Sequence, residues 1–148
     1  MPHPADTIDV IAPNFKSRMS GVTSTVFRLV PIQARGMAVA TCGPNIPDDI
    51  PQIPPACLPT LGRRRRVWHA RRNNEMLAGI ALKYLLRKDL KLMFTSAAQR
   101  DHKPLTKWMI RRMDKVVATS AKSASFLEVP AQVIHHGIDV DRFAPVAD

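Results

Sequence analysis

The 148 residues suffice for one domain with its own core, and a composition of 45% hydrophobic and 23% charged residues excludes wholesale disorder and a fibrous repeat. Lys and Arg outnumber Asp and Glu by 22 to 12, and the resulting net charge of +10 favours anionic partners: phosphate groups, nucleic acid or an acidic membrane surface. The opening MPHPADTIDV lacks the basic and apolar segments of a signal peptide, and no stretch approaches ~18 uninterrupted apolar residues, so a cytoplasmic protein is expected.

In chain order, residues 8–12 read as a β-strand, 13–21 as a turn-rich loop, and Val22, Val26, Leu29 and Val30 fall at helical spacing. Pro31 is expected to kink or end that helix, although the apolar pattern runs on to Gln33. A second strand over 37–42 (MAVATC) gives way to a stretch from 44 to 59 with six prolines, an extended connection that can be neither helix nor central strand. Residues 66–70 (RVWHA) form the third strand. Asn73-Asn74-Glu75 then supplies a helix cap and an acidic first turn, with Met76, Leu77, Ile80, Ala81, Tyr84 and Leu85 on one face. Strands over 91–96, 115–119 and 132–135 follow, separated by a helix opened by Pro104 and carrying Leu105, Trp108 and Met109, and by a short helix capped by Ser120. This alternation predicts an α/β fold: a Rossmann-like, doubly wound parallel sheet with right-handed crossovers.

Ligands of such sheets bind beyond the carboxyl ends of the strands, which directs attention to three loops. The first holds Asn14, Lys16, Arg18, Ser20 and Gly21 and leads into a helix N-terminus that favours an anion. It has one glycine rather than the three of a dinucleotide fingerprint and no Gly-Lys-Ser/Thr ending, so an ordinary turn is the favoured reading over a phosphate cradle. The second holds His69, Arg71, Arg72, Asn73 and Asn74; the third holds Ser96, Gln99, Arg100, Asp101 and His102. Arginine forks suit phosphates and carboxylates, and amides suit sugar hydroxyls, so these loops fit a cleft for a charged carbohydrate; a solvated rim with Asn73 as a cap is the alternative.

Arg63 to Arg66 lies at the other end of the third strand, roughly 15 Å from Arg71 and Arg72, and so cannot share a small ligand with them. It reads as a solvated face or a contact for anionic lipid. Tyr84 and Trp108 read as core. Neighbouring strand positions would point His135 and His136 to opposite faces, which disfavours a shared metal ion, and Cys42 and Cys57 stand apart as inert thiols. No metal site is expected.

The segment VIHHGIDVDRFAPV, from Val133 to Val146, resembles the stretch of family 4 retaining glycosyltransferases, of GT-B fold, that ends the N-terminal domain and enters the interdomain linker. The opening IDVIAPNFKSRMSGVTSTV is similar to the loop that in such enzymes faces the donor diphosphate. VWHARRNNEM, LMFTSAAQRDHKP and MDKVVATSAKSASFL resemble the lipopolysaccharide-core mannosyltransferases of that family. The resemblance implies an acceptor-side domain over 1–137 and the start of a linker over 138–148, with Gly137 and Asp139 in the linker segment and Ser20 and Gly21 facing the donor. Charge placement and residue types in the loops after the third and fourth strands direct His69, Arg71, Arg72, Asn73, Asn74, Ser96, Arg100 and His102 toward the acceptor.

It further implies mannosyl transfer from a nucleotide sugar, GDP-mannose, as cosubstrate, with no other cofactor, to a lipid-linked core oligosaccharide at the inner face of the cytoplasmic membrane. Charge reversal at Arg71 and Arg72 is expected to weaken acceptor use and leave the fold intact. Many family members follow the fourth strand with a Thr-x-His pattern whose histidine contacts the transferred sugar; here Thr95-Ser96 is followed by Ala97. The donor-binding second domain of the family would begin where this sequence stops, so the chain by itself is expected to be inactive. A basic nucleic-acid-binding or anionic-membrane-binding module without catalysis is the competing expectation, although no zinc spacing, aromatic RNA-binding signature or helix-turn-helix supports nucleic acid.

Overall fold

A computed structural model describes residues 5–137, 140–142 and 145–146. Its elements are β1 (Val10–Pro13), α1 (Gly21–Gln33), β2 (Val39–Cys42), a 3-10 helix over Pro55–Thr60, β3 (Arg66–Ala70), α2 (Asn73–Tyr84), β4 (Leu90–Ser96), α3 (Pro104–Arg111), β5 (Lys115–Ala118), α4 (Ala121–Ser125) and β6 (Gln132–Val133). All six strands are parallel, in the order β2-β1-β3-β4-β5-β6. The fold is the Rossmann-like sheet that the alternation predicts.

From β1 the chain steps outward to β2, then crosses back over β1 to β3 and continues in the other direction. The switch point therefore lies between β1 and β3. Right-handed crossovers put α1 on one face and α2, α3 and α4 on the other. Adjacent residues of β1 divide accordingly: Ala12 packs with Val26 and Val30 of α1, whereas Ile11 joins Trp68, Met76, Leu92 and Ile110 in the larger core. Two serines start helices as expected, Ser20 accepting from the Thr23 amide (3.3 Å) and Ser120 from the Ser123 amide (3.0 Å).

Trp68 anchors the larger core. It is fully buried, its indole N–H donates to the Glu75 carbonyl (2.8 Å), and Phe15 packs on it with ring centroids 5.9 Å apart. Just beyond β2, Gly43, with φ of 146°, lies so close to the end of β1 that a Cβ there would stand 2.0 Å from the Asn14 carbonyl oxygen. Only glycine fits that approach.

Several sequence expectations change. α1 runs through Pro31 to Gln33, forgoing the one N–H bond that proline cannot make, and ends two residues later. The proline-rich connection is not wholly extended: a 3-10 helix over Pro55–Thr60 buries Leu58, and Gln52 bridges to Thr41. β6 ends at Val133 instead of 135, so the alternating-face argument for His135 and His136 does not apply. Asn73 does not cap α2; Arg72 occupies that position, without a side-chain bond, and the Asn73 amide donates instead to Thr106 of α3 (2.9 Å).

Tyr84 and Trp108 are exposed rather than core, as are Leu77, Leu85 and Leu105, because the sheet is already covered by Met76, Gly79, Ile80 and Leu82 of α2 and by Met109 and Ile110 of α3. The arginine run is not a uniform solvated face either. Arg66 is 2% exposed and donates to the carbonyls of Gly62, Arg64 and Ala5 (3.1 Å each), Arg64 pairs with Asp9, and Arg65 pairs with Asp89. Burial and the neighbouring Arg64 lower the Arg66 pKa.

A Cβ at Gly79 would meet Trp68 Cδ1 at 2.5 Å and Leu92 Cδ2 at 3.0 Å, and the indole cannot retreat without losing its bond to Glu75. Gly79→Ala is therefore expected to lower stability by about 1–2 kcal/mol in urea denaturation, overpacking outweighing the gain in helix propensity. A stabilised variant would contradict this packing.

Candidate functional site

Beyond the carboxyl ends of β1 and β3, two loops are joined by one carboxylate. Glu75, fully buried in the first turn of α2, accepts from the backbone N–H of Phe15 (3.2 Å), the backbone N–H of Arg71 (3.0 Å) and Nη1 of Arg72 (2.9 Å). The Arg72 guanidinium carries the network on to Asn14 Oδ1 (2.8 Å), Ser20 Oγ (3.0 Å) and Thr23 Oγ1 (2.7 Å). Asn14, itself buried, also accepts from the Thr23 hydroxyl (3.1 Å). The β1–α1 loop, the start of α1 and the β3–α2 turn are thereby held as one body.

Arg71, the next residue, is placed differently. Its backbone is fixed by Glu75, but its Nη1 is buried and has no hydrogen-bond partner. Burial, with Arg72 beside it and Glu75 opposing, lowers its pKa to about 10. At neutral pH it remains a cation, poorly hydrated and short of acceptors. Such a group gains more from an incoming anion than a solvated arginine does.

Arg71 stands between two adjoining cavities. The larger, about 500 Å³, opens between the β3–α2 and β4–α3 loops and is lined by Arg71, Asn73, Ser96, Arg100, Asp101, His102, Lys103 and Thr106 among others. His102 contributes a second buried nitrogen, Nε2, without a partner, and its pKa is lowered by burial first, then by Arg100 and Lys107, against Asp101. The smaller, about 320 Å³, lies where α1 stops covering the sheet and is lined by Gly21, Val22, Thr25, Arg71, Thr95, Ala97, Thr119 and His136. His69 bonds Thr95 Oγ1 through Nε2 (2.7 Å), and burial, then Arg71, push its pKa down to about 3, so it is neutral.

Of the residues singled out from sequence, Arg71, Asn73, Ser96, Arg100 and His102 meet in the larger cavity, and Gly21 and Arg71 in the smaller. His69 stands beside Thr95, while Ser20 and Arg72 belong to the bracing network. Charge reversal at Arg72, expected from sequence to spare the fold, would set an anion against Glu75 in a buried network and is not a neutral change. Asn74 is exposed on α2 and lines neither cavity; Gly137 is exposed, and Asp139 lies outside the described residues. Sequence reasoning missed Glu75 as a brace. A carboxylate in a helix's first turn is common, and only its burial distinguishes this one. Ala97, where the resemblance leads one to look for a histidine, lines both cavities.

The sequence is 58% identical over 144 residues to a lipopolysaccharide core biosynthesis mannosyltransferase, LpcC, of Rhizobium leguminosarum bv. viciae, covering 93% of this chain and 41% of that protein. It is 52% identical over 147 residues to a second, LpsB, of Rhizobium meliloti strain 1021, covering 95% of this chain and 42% of the relative. The chain thus spans less than half the length of these curated relatives. No family model matches it.

The neutral His69 makes stability depend on acid in a stated direction. Unfolded, the imidazole takes up its proton near 6.5; folded, only near 3, so protonation favours the unfolded chain and stability is lost as pH falls through that window. Relative to His69→Gln, the native chain is expected to lose up to about 1.4 kcal/mol per pH unit there and nothing extra above pH 7. Urea titrations of both proteins across the window check this, and parallel curves would contradict a neutral imidazole at His69.

Proposed function

We propose that this chain, a close relative of lipopolysaccharide-core mannosyltransferases, is the acceptor-side part of a retaining glycosyltransferase, with residues 1–137 as its acceptor domain and 138–148 as the start of the linker. The supporting observation is the desolvated Arg71 guanidinium, with an unpartnered nitrogen at the junction of two cavities beyond the carboxyl ends of the strands. The larger cavity takes a sugar unit bearing a carboxylate or phosphate: Arg71 and Arg100 attract the acid group, while Asn73, Ser96 and Thr106 suit hydroxyls. The smaller, beside Gly21 at the start of α1, is where the transferred sugar and donor diphosphate approach from a donor-binding domain outside these residues.

In this reading the acceptor is the core oligosaccharide of a lipid-anchored glycan, the donor is a nucleotide sugar, GDP-mannose, and the domain binds acceptor without turning over by itself. The chain's own groups bind and orient. Arg71 fixes the acid group, Glu75 keeps the two loops from parting, and neutral His69 adds no competing charge beneath Thr95.

Calorimetric titration of the chain with delipidated acidic core oligosaccharide tests this. Arg71→Gln is expected to reduce affinity about tenfold or more, the scale of one charge-assisted bond to a desolvated site, with an unchanged or higher melting temperature because a buried unpaired charge is removed. Unchanged affinity would take Arg71 out of the site.

A further inference from the structure

We infer that His102 is a second anchor in the larger cavity, meeting the same acid group as Arg71 and taking up a proton as that group enters. Among the described residues four buried side-chain atoms lack a hydrogen-bond partner, and two of them, Arg71 Nη1 and His102 Nε2, belong to residues that line this one cavity of about 500 Å³. The other two, Thr41 Oγ1 and Arg66 Nε, belong to residues that line neither cavity. A buried polar atom without a partner is costly, so two of them around one space, from separate loops, are the complement of a single ligand with several acceptor oxygens.

Both residues stand on braced backbone. Asp101, just before His102, pairs with Lys107 of α3 (3.1 Å), and the carbonyl of Lys103, just after it, accepts from the Lys107 amide (3.0 Å). Arg71 borders the same space from the β3–α2 turn, where its amide donates to Glu75 (3.0 Å). The charges around the imidazole then decide when it ionises. Arg100, Asp101 and Lys103 share its loop, Lys107 comes from α3, and Arg71 lies on the β3–α2 side of the cavity. The carboxylate of this set, Asp101, is shared with Lys107, which reaches on to Glu128 (3.0 Å).

Burial first, then Arg100 and Lys107, hold the His102 pKa below its ordinary value against Asp101, so in the free chain the ring is neutral at pH 7. An acid group at hydrogen-bond distance reverses this balance, because an opposite charge within ~4–6 Å favours the imidazolium. One proton passes from solvent to the ring, completing both N–H groups with no other bond changed, and Nε2–H donates to an acid oxygen alongside Arg71 Nη1. The free ring ionises at lower pH than the bound ring, so affinity rises as pH falls through the interval between the two. His69, its pKa pushed down to about 3, stays neutral there and adds nothing. The inference rests on the proposed function only for the sugar that carries the acid group.

Sulfate, whose charge does not change near neutral pH, is the first probe. In imidazole NMR titrations of the full chain, sodium sulfate in place of sodium chloride at equal ionic strength is expected to raise the His102 midpoint by about one pH unit, more than that of any other histidine, and Arg71→Gln is expected to remove the difference. Calorimetry with the delipidated acidic core oligosaccharide then compares the native chain with His102→Gln, which keeps a donor but cannot ionise. The two are expected to bind within about twofold of each other at pH 8, and the native chain about fivefold more tightly at pH 6. An unmoved His102 midpoint, a sulfate effect that survives Arg71→Gln, or the same native-to-variant ratio at both pH values would overturn the inference. Oligosaccharide binding that needs Arg71 but not the His102 proton would sink this inference and leave the acceptor site standing. A sulfate-driven rise at His102 without oligosaccharide binding would keep the proton-linked anion site and remove the acceptor.

Discussion

The buried carboxylate of Glu75 is the constraint on which the site depends. Removing an ion from water costs several kcal/mol, and here the cost is offset by two backbone N–H groups and a guanidinium from two places in the chain. What this secures is relative position: the β1–α1 loop and the β3–α2 turn meet across the switch point with no strand hydrogen bonds of their own. Trp68 ties the same helical turn to the sheet from below, through the Glu75 carbonyl. One residue thus links core packing to loop geometry.

Two neighbouring arginines then acquire opposite roles from their surroundings. Arg72 has acceptors around its guanidinium and braces the loops; Arg71, one position earlier, has a buried nitrogen without a partner and borders open space. The net charge of +10 is divided in the same manner. Arg64, Arg65 and Arg66 fasten the N-terminal segment and the edge of β3, Arg71 and Arg100 face the cavity, and Arg111 and Arg112 lie on an exposed amphipathic surface. Composition predicted an anionic partner, but only the fold separates the cations free to meet one.

The order of strands and helices was legible in the sequence because alternating and 3.6-residue periods differ sharply, and serine caps mark two of the helix starts. Loop positions after β3 and β4 were legible for the same reason, which is why Arg71, Asn73, Ser96, Arg100 and His102 were identified before the cavity was. Side-chain fate was not. Leu77, Tyr84 and Trp108 fit a helical apolar face, yet each helix needs only a narrow stripe against the sheet, and sequence period does not say which neighbours fill it. Arg66 looked solvated within a run of four, and the carbonyls that receive it come from residues 5, 62 and 64, all of which lie outside helices and strands and carry no periodic signature.

The central claim is that a glycan acid group is received at the carboxyl ends of β3 and β4. The most direct measurement is a two-dimensional amide NMR titration of the isotopically labelled chain with delipidated core oligosaccharide, read residue by residue. The account predicts that the largest shifts cluster at Arg71, Asn73, Ser96, Ala97 and His102 and saturate with a single affinity. Shifts centred on residues 63–66, or no saturating change anywhere, would contradict it.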